Sequence, residues 1–135
     1  QSLEQQQPLS LLALDIDDFA SINQHYGHPE GDAVLQALSQ LLLLNLRRHD
    51  LLCRLAGDRF VVLLPGTGES QARLLALELQ QAVQSLAHKT RQHGERVYLS
   101  ASTAVVMALD EAPDELLKRL NLALVRAKPP RSKRA

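Results

Sequence analysis

Two short apolar arms, Leu51 to Leu55 and Phe60 to Leu64, are separated only by Ala56-Gly57-Asp58-Arg59. So tight a connection predicts an antiparallel hairpin. Its tip, within Arg54-Leu55-Ala56-Gly57-Asp58-Arg59-Phe60, has the shape of a turn that handles phosphate and metal. Arg59 stands there where a second acid is expected. A positive charge beside metal-binding carboxylates competes with the metal.

The rest of the chain supplies partners for that hairpin. Ser10-Leu11-Leu12-Ala13-Leu14-Asp15-Ile16 is an apolar run ending in acid, which reads as a buried strand with carboxylates at its C-terminal edge. Asp17 or Asp18 is a candidate cap for a short helix through Phe19, Ile22 and Asn23. Gly27 to Gly31 reads as a turn, and Asp32 to about Arg48 as a helix with Val34, Leu35, Leu38, Leu41, Leu42 and Leu46 along one face. After Pro65-Gly66-Thr67-Gly68 comes a second long helix, Glu69 to about His88, then a polar loop from Lys89 to Glu95. Arg96 to Met107 is strand-like, and Pro113 to about Lys128 is a third amphipathic helix. The order β-α-α-β-β-α-β-α predicts an α+β domain in a ferredoxin-like or polymerase-palm arrangement. Its antiparallel central sheet is flanked by helices, expected on one face.

At 135 residues the chain suits one domain, and 45% hydrophobic content is enough for an aliphatic core. Fifteen basic and fifteen acidic residues cancel, so no overall field argues for nucleic acid or a membrane surface. Cys53 is the only cysteine, which excludes an internal disulfide and fits a reducing, cytoplasmic setting; it reads as a buried structural thiol. No apolar run reaches the ~20 residues that span a bilayer. Residues 1–8 read as a linker or the end of a preceding helix, 9–128 as the domain, and 129–135 as a basic tail, so a larger, even membrane-attached, protein is expected.

In such a sheet the end of the first strand lies beside the tip of the central hairpin. Asp15 and Asp58 are then placed to hold Mg²⁺ and a nucleoside triphosphate, since hard cations take oxygen ligands and bridge to phosphate. The plainer alternative makes Asp15 a helix cap and Asp58 a turn residue, and spacing leaves the two readings level.

Three stretches resemble the GGDEF, or diguanylate cyclase, domain: Leu14-Asp15-Ile16-Asp17-Asp18-Phe19-Ala20-Ser21-Ile22-Asn23, Tyr26-Gly27-His28-Pro29-Glu30-Gly31-Asp32 and the hairpin Arg54 to Phe60. The resemblance runs from about Leu9 to Lys128. In that family each of two domains holds one GTP, and head-to-head pairing makes cyclic di-GMP. The resemblance implies metal ligands at Asp15, the Ile16 carbonyl and Asp58, with Asp58 also the base. It implies guanine recognition by Asn23 and Asp32, and a phosphate contact from Lys128.

Departures from the family pattern point away from turnover. Its signature glutamate is Arg59 here, its first glycine is Ala56, and a lysine taken to stabilise the transition state is Ala20. The usual aspartate and tyrosine of the last helix are Asn121 and Val125. The Gly-Arg-Asn that ends the domain has become Arg131-Ser132-Lys133. Losing one electrostatic stabiliser costs ~10²–10³ in rate, so an inactive cyclase is expected.

Arg47-Arg48-His49-Asp50, just ahead of the hairpin, matches the family's Arg-x-x-Asp product-inhibition site. Arginine presents a planar fork of donors to phosphate or to a guanine edge, and an aspartate accepts from guanine's imino and amino groups. The plainer alternative is a basic helix end with Asp50 in the turn. Arg73 is a candidate for an added phosphate contact. The five histidines show no metal-ligand spacing.

The expected function is therefore a degenerate GGDEF module that binds cyclic di-GMP at Arg47 and Asp50 and signals to a fused sensory or effector domain. The alternatives are a working cyclase using GTP and Mg²⁺, and a GTP-binding or dimerisation scaffold. A homodimer is a further expected partner; nucleic acid is not.

Overall fold

The computed structural model describes residues 7–56, 58–89, 94 and 96–128. Gly57, the first six residues, most of the 90–95 loop and the tail from 129 onward lie outside them. The elements follow in the order β1 (Leu9–Ile16), α1 (Phe19–Tyr26), α2 (His28–Leu44), β2 (Leu51–Ala56), β3 (Arg59–Pro65), α3 (Glu69–Ser85), β4 (Ala87–Lys89), β5 (Arg96–Tyr98), β6 (Ala101–Met107) and α4 (Pro113–Ala127). β2, β3, β1 and β6 form one antiparallel sheet in that order, and β4 pairs with β5 in a separate two-stranded ribbon.

β1 lies inside the sheet and is buried along nearly its whole length. That explains its near-continuous apolar sequence, since a strand covered on both faces has no solvent side to fill with polar residues. Leu12, Leu14 and Ile16 point into the larger core with Phe60, Val62 and Leu64 of β3 and the apolar faces of α1, α2 and α3. Leu11 and Ala13 point the other way, to a smaller core with Val61, Ala104, Val106 and Leu120 and Leu124 of α4. Helices therefore cover both faces of the sheet, a correction to the one-sided covering expected from the sequence. The amphipathic α4 is what closes the second face.

Several boundaries shift for local reasons. α2 begins at His28, because Pro29 suits the first helical turn and Gly27, at φ 94°, makes the sharp entry alone. It stops at Leu44, where the Asn45 side-chain amide donates to the Leu41 carbonyl. The segment from Arg96 to Met107 is two strands rather than one, and β4 occupies part of the stretch read as helix end and loop. Cys53, expected to be buried, is only half-buried on the outer strand β2.

Leu12 and Leu14 have no exposed surface. Leu14→Ala is expected to lower the unfolding free energy by about 2–5 kcal/mol, measured as a reduced urea midpoint with an unchanged slope.

Candidate nucleotide-binding sites at the two ends of the hairpin

Alternation along β1 puts Asp15 on the same face as Leu11 and Ala13, under α4 rather than in the larger core. The strand register sets it directly across from Arg59 on one side and Ser102 on the other. Asp15 is only 6% exposed, and a carboxylate so buried needs compensating charge. Arg59 Nη2 lies 3.4 Å from Asp15 Oδ2, while its Nη1 donates to Asn121 Oδ1 of α4 at 3.0 Å. Lys128, just past α4, sets its Nζ 3.4 Å from the same Oδ2 and donates to the Ile16 carbonyl at 3.3 Å.

Asp58 completes the cluster from the hairpin tip. Burial above all, then a shared proton with Asp15 and the Asp15 charge, push its pKa up to about 6; its own backbone amide and Lys128 oppose the rise. Among the described residues no donor with a fixed hydrogen reaches the buried Oδ1 of Asp15. The Asp58 carboxyl is a donor to Asp15 only when protonated. The site residues named from sequence at this end, Asp15, Ile16, Asp58, Arg59 and Lys128, are thus brought together.

Asp17 was missed as a site residue and read only as a candidate cap. Its side chain accepts from Ser100 Oγ at 2.8 Å and Ser102 Oγ at 2.7 Å, with Lys128 Nζ at 3.5 Å. It ties the exit of β1 to β6 and α4. Asp18 does occupy the position before α1, but in the left-handed region at φ 55° and without a side-chain cap bond. Neither aspartate therefore caps α1. Sequence carries no signal for these bonds, because the serines lie far along the chain.

Asn23, half-buried on α1, abuts Gly31 near the start of α2, and exposed Asp32 follows directly. A methyl group on Gly31 would fall on Oδ1 of Asn23. The sequence reading treated Gly31 as a turn residue; it is instead a cradle that sets the Asn23 amide.

The Arg-x-x-Asp stretch lies about 20 Å away, the length of β3. It forms a turn after α2, closed by the Asp50 amide donating to the Arg47 carbonyl at 3.1 Å. Arg47 is not on the helix end, so the dipole-complementing alternative falls away. Its Nη2 and Nε donate to Asp50 Oδ1 and Oδ2 at 3.1 and 3.2 Å, and its backbone amide donates to Oδ2 at 2.8 Å. Nη2 also donates to Thr67 Oγ1 and, at 3.4 Å, to the Pro65 carbonyl. Thr67 is itself buried, with its carbonyl accepting from Ser10 Oγ at 2.7 Å. The Asp50 side chain is 1% exposed, whereas Arg47 remains 51% exposed, and Nη1 has no partner among the described residues. A cleft of about 370 Å³ opens beside it, walled by α3. Arg73 lies on the opposite side of α3, paired with Glu69 at 2.5 Å, and does not reach this cleft.

A palm-like antiparallel sheet with acids at the end of its central strand and at the hairpin tip defines a nucleotide-cyclase type of domain. The family described as diguanylate cyclase, GGDEF domain, matches residues 1–134, and the chain belongs to it. The response regulator PleD of Caulobacter vibrioides is 36% identical over 90% of this chain, and the diguanylate cyclase DgcP of Pseudomonas aeruginosa 36% over 89%. The chain spans only 27% and 18% of those proteins. The crystal structure of the GGDEF domain of YfiN (TpbB) from Pseudomonas aeruginosa superposes with a TM-score of 0.83 at 31% identity, covering 92% of this chain and 78% of that one. The GGDEF domain of DgcB from Caulobacter crescentus, solved with cyclic di-GMP, has the same TM-score at 23% identity, over 88% of this chain and 71% of that one. That last likeness concerns the fold.

Among the described residues no group of three or more His, Cys, Asp or Glu side chains is arranged to hold a metal ion, and no helix is long and apolar enough to cross a membrane.

Two outcomes follow for the cyclase-like end. Because Asp58 holds its proton more tightly when folded, to about pH 6, than an unburied aspartate does, ionising it costs native stability progressively between about pH 4 and pH 6. Asp58→Asn should therefore gain melting temperature relative to the parent at pH 7.5 and lose that advantage at pH 4. Gly31→Ala should displace the Asn23 side-chain amide, read as a shift of its NMR resonance, with little effect on the Arg47 cleft.

Proposed function

We propose that this GGDEF domain is a silenced cyclase that works as a cyclic di-GMP receptor through Arg47 and Asp50. The observation carrying the first half is the pairing of Arg59 with Asp15 across β1 and β3. Two cations, Arg59 and Lys128, already neutralise Asp15, and Lys128 also takes the Ile16 carbonyl. Asp15, Ile16 and Asp58 offer the oxygen donors that Mg²⁺ prefers. Only Asp15 Oδ1 and the Asp58 carboxyl are left open to one, so the donor set as arranged does not fit a divalent ion. With Ala20 in place of the family's lysine as well, one cation that would stabilise the developing charge is lacking.

The second half rests on the preset geometry of Arg47. Asp50, Thr67 and the Pro65 carbonyl hold the guanidinium by Nε and Nη2, leaving Nη1 to meet a phosphate. The domain, residues 9–128, would pass occupancy of this cleft to a fused domain or a second copy, in a cytoplasmic setting. Retention of GTP at Asn23 and Asp32 is a second reading, favoured by the Gly31 cradle.

Titration calorimetry with cyclic di-GMP tests the receptor reading. One saturable event is expected, lost in Arg47→Ala and kept in Asp32→Ala. No heat with the parent protein at micromolar concentration, or binding indifferent to Arg47→Ala, would overturn it.

A further inference from the structure

The two outer strands of the main sheet are not equally protected. β2 carries the charged Arg54 and is broken by a bulge between Arg54 and Ala56. Charges and bulges on an edge discourage pairing with another chain. β6 has neither. Ala101-Ser102-Thr103-Ala104-Val105-Val106-Met107 is uncharged, lacks glycine and proline, and keeps an unbroken register with β1.

The bonds at the ends of β6 fix which of its backbone groups face outward. The Asp17 amide donates to the Ser100 carbonyl at 2.9 Å, and the Ala108 amide to the Leu9 carbonyl at 2.8 Å. Antiparallel ladders alternate, so the even-numbered residues between bond to β1 and the odd-numbered ones turn N–H and C=O to the open edge. Two of those outward carbonyls are capped. Gln80 of α3 donates to the Ala101 carbonyl at 2.9 Å, and Arg119 of α4 donates to the Met107 carbonyl at 2.8 Å. Between the caps, the outward N–H and C=O of Thr103 and Val105 have no hydrogen-bond partner among the described residues.

Thr103 and Val105 flank Ala104, which is the midpoint between the capped carbonyls. An open stretch symmetric about one residue is complementary to itself when a second strand runs antiparallel. Thr103 then exchanges both its hydrogen bonds with Val105 of the second copy, and Val105 with that copy's Thr103. The two Ala104 residues face each other on the two-fold axis. Theirs is a non-hydrogen-bonded pair, about 4.5 Å between Cα atoms, a close approach that a methyl side chain tolerates. No charge on β6 meets its like across the pairing. On the α3 side a cleft of about 220 Å³, lined by Ala76 and Leu77 with Thr103 and Val105, receives side chains of the incoming strand. Leu77 is 51% exposed beside it.

We infer that a second copy of this chain docks on β6, strand against antiparallel strand, to make one sheet continuous through both domains. Such an isologous pairing closes on itself. Because the strand order puts β3 and β2 beyond β1, the two hairpins lie at opposite ends of that sheet. The arrangement is therefore distinct from head-to-head pairing of cyclase centres, and it does not rest on the receptor reading above.

Sedimentation velocity on the nucleotide-free chain, with amide hydrogen exchange over the same concentration series, tests the inference. A reversible dimer is expected as concentration rises. The Thr103 and Val105 amides should gain protection in step with it, while those of Ser102 and Ala104, already bonded to β1, stay protected throughout. Val105→Pro removes an outward N–H and no bond to β1, the kind of edge position where proline is tolerated, and should abolish the dimer. A monomer at every concentration overturns the inference. So does a dimer whose Thr103 and Val105 amides exchange as freely as in the monomer, or one that persists in folded Val105→Pro. The exchange readout needs no variant, so it decides even where Val105→Pro lowers the melting temperature.

Discussion

The burial of β1 on both faces governs the rest of this molecule. A strand inside the sheet, covered by α1, α2 and α3 on one side and α4 on the other, carries Asp15 into a place where an isolated carboxylate is untenable. Whatever stands opposite in the register must answer that charge. In this chain the answer is Arg59, helped by Lys128 and steadied by Asn121. The same ion cluster that makes the folded state electrically tolerable occupies Asp15 Oδ2 and the Ile16 carbonyl.

The hairpin then links two sites with different fates. At its tip, acids remain but are neutralised, and Asp58 keeps its proton to about pH 6 because burial and Asp15 both resist its ionisation. At the far end of β3, Pro65 and Thr67 help hold a guanidinium with one nitrogen free beside a cleft. The length of β3, about 20 Å, separates the two ends. Loss of catalysis with retention of a ligand cleft is physically consistent within one fold.

The strands of the main sheet, the hairpin and the long helices were legible because their apolar spacing is strong. The approach of Asp15 to Asp58 and Arg59 was legible because strand order brings their backbones together, whereas Lys128, past α4, was named only through the family resemblance. What escaped had physical causes. β4 and β5 are three residues each, too short to show alternation. The start of α2 was misread because Gly27 alone makes the turn that five residues seemed to share. The burial of Asp50 depends on Arg47 folding back over it, and the partners of Asp17 and Arg47 are hydroxyls of Ser100, Ser102 and Thr67 contributed by distant segments. No local pattern encodes such bonds. The placement of α4 on the second face likewise depends on packing that periodicity cannot assign.

The central claim is that Arg59, by pairing with Asp15, silences the cyclase centre. Incubation of the purified chain with GTP and Mg²⁺, followed by chromatography for the dinucleotide, tests it most directly. No cyclic di-GMP above the protein-free control is predicted. Clear turnover by the unaltered chain would contradict it.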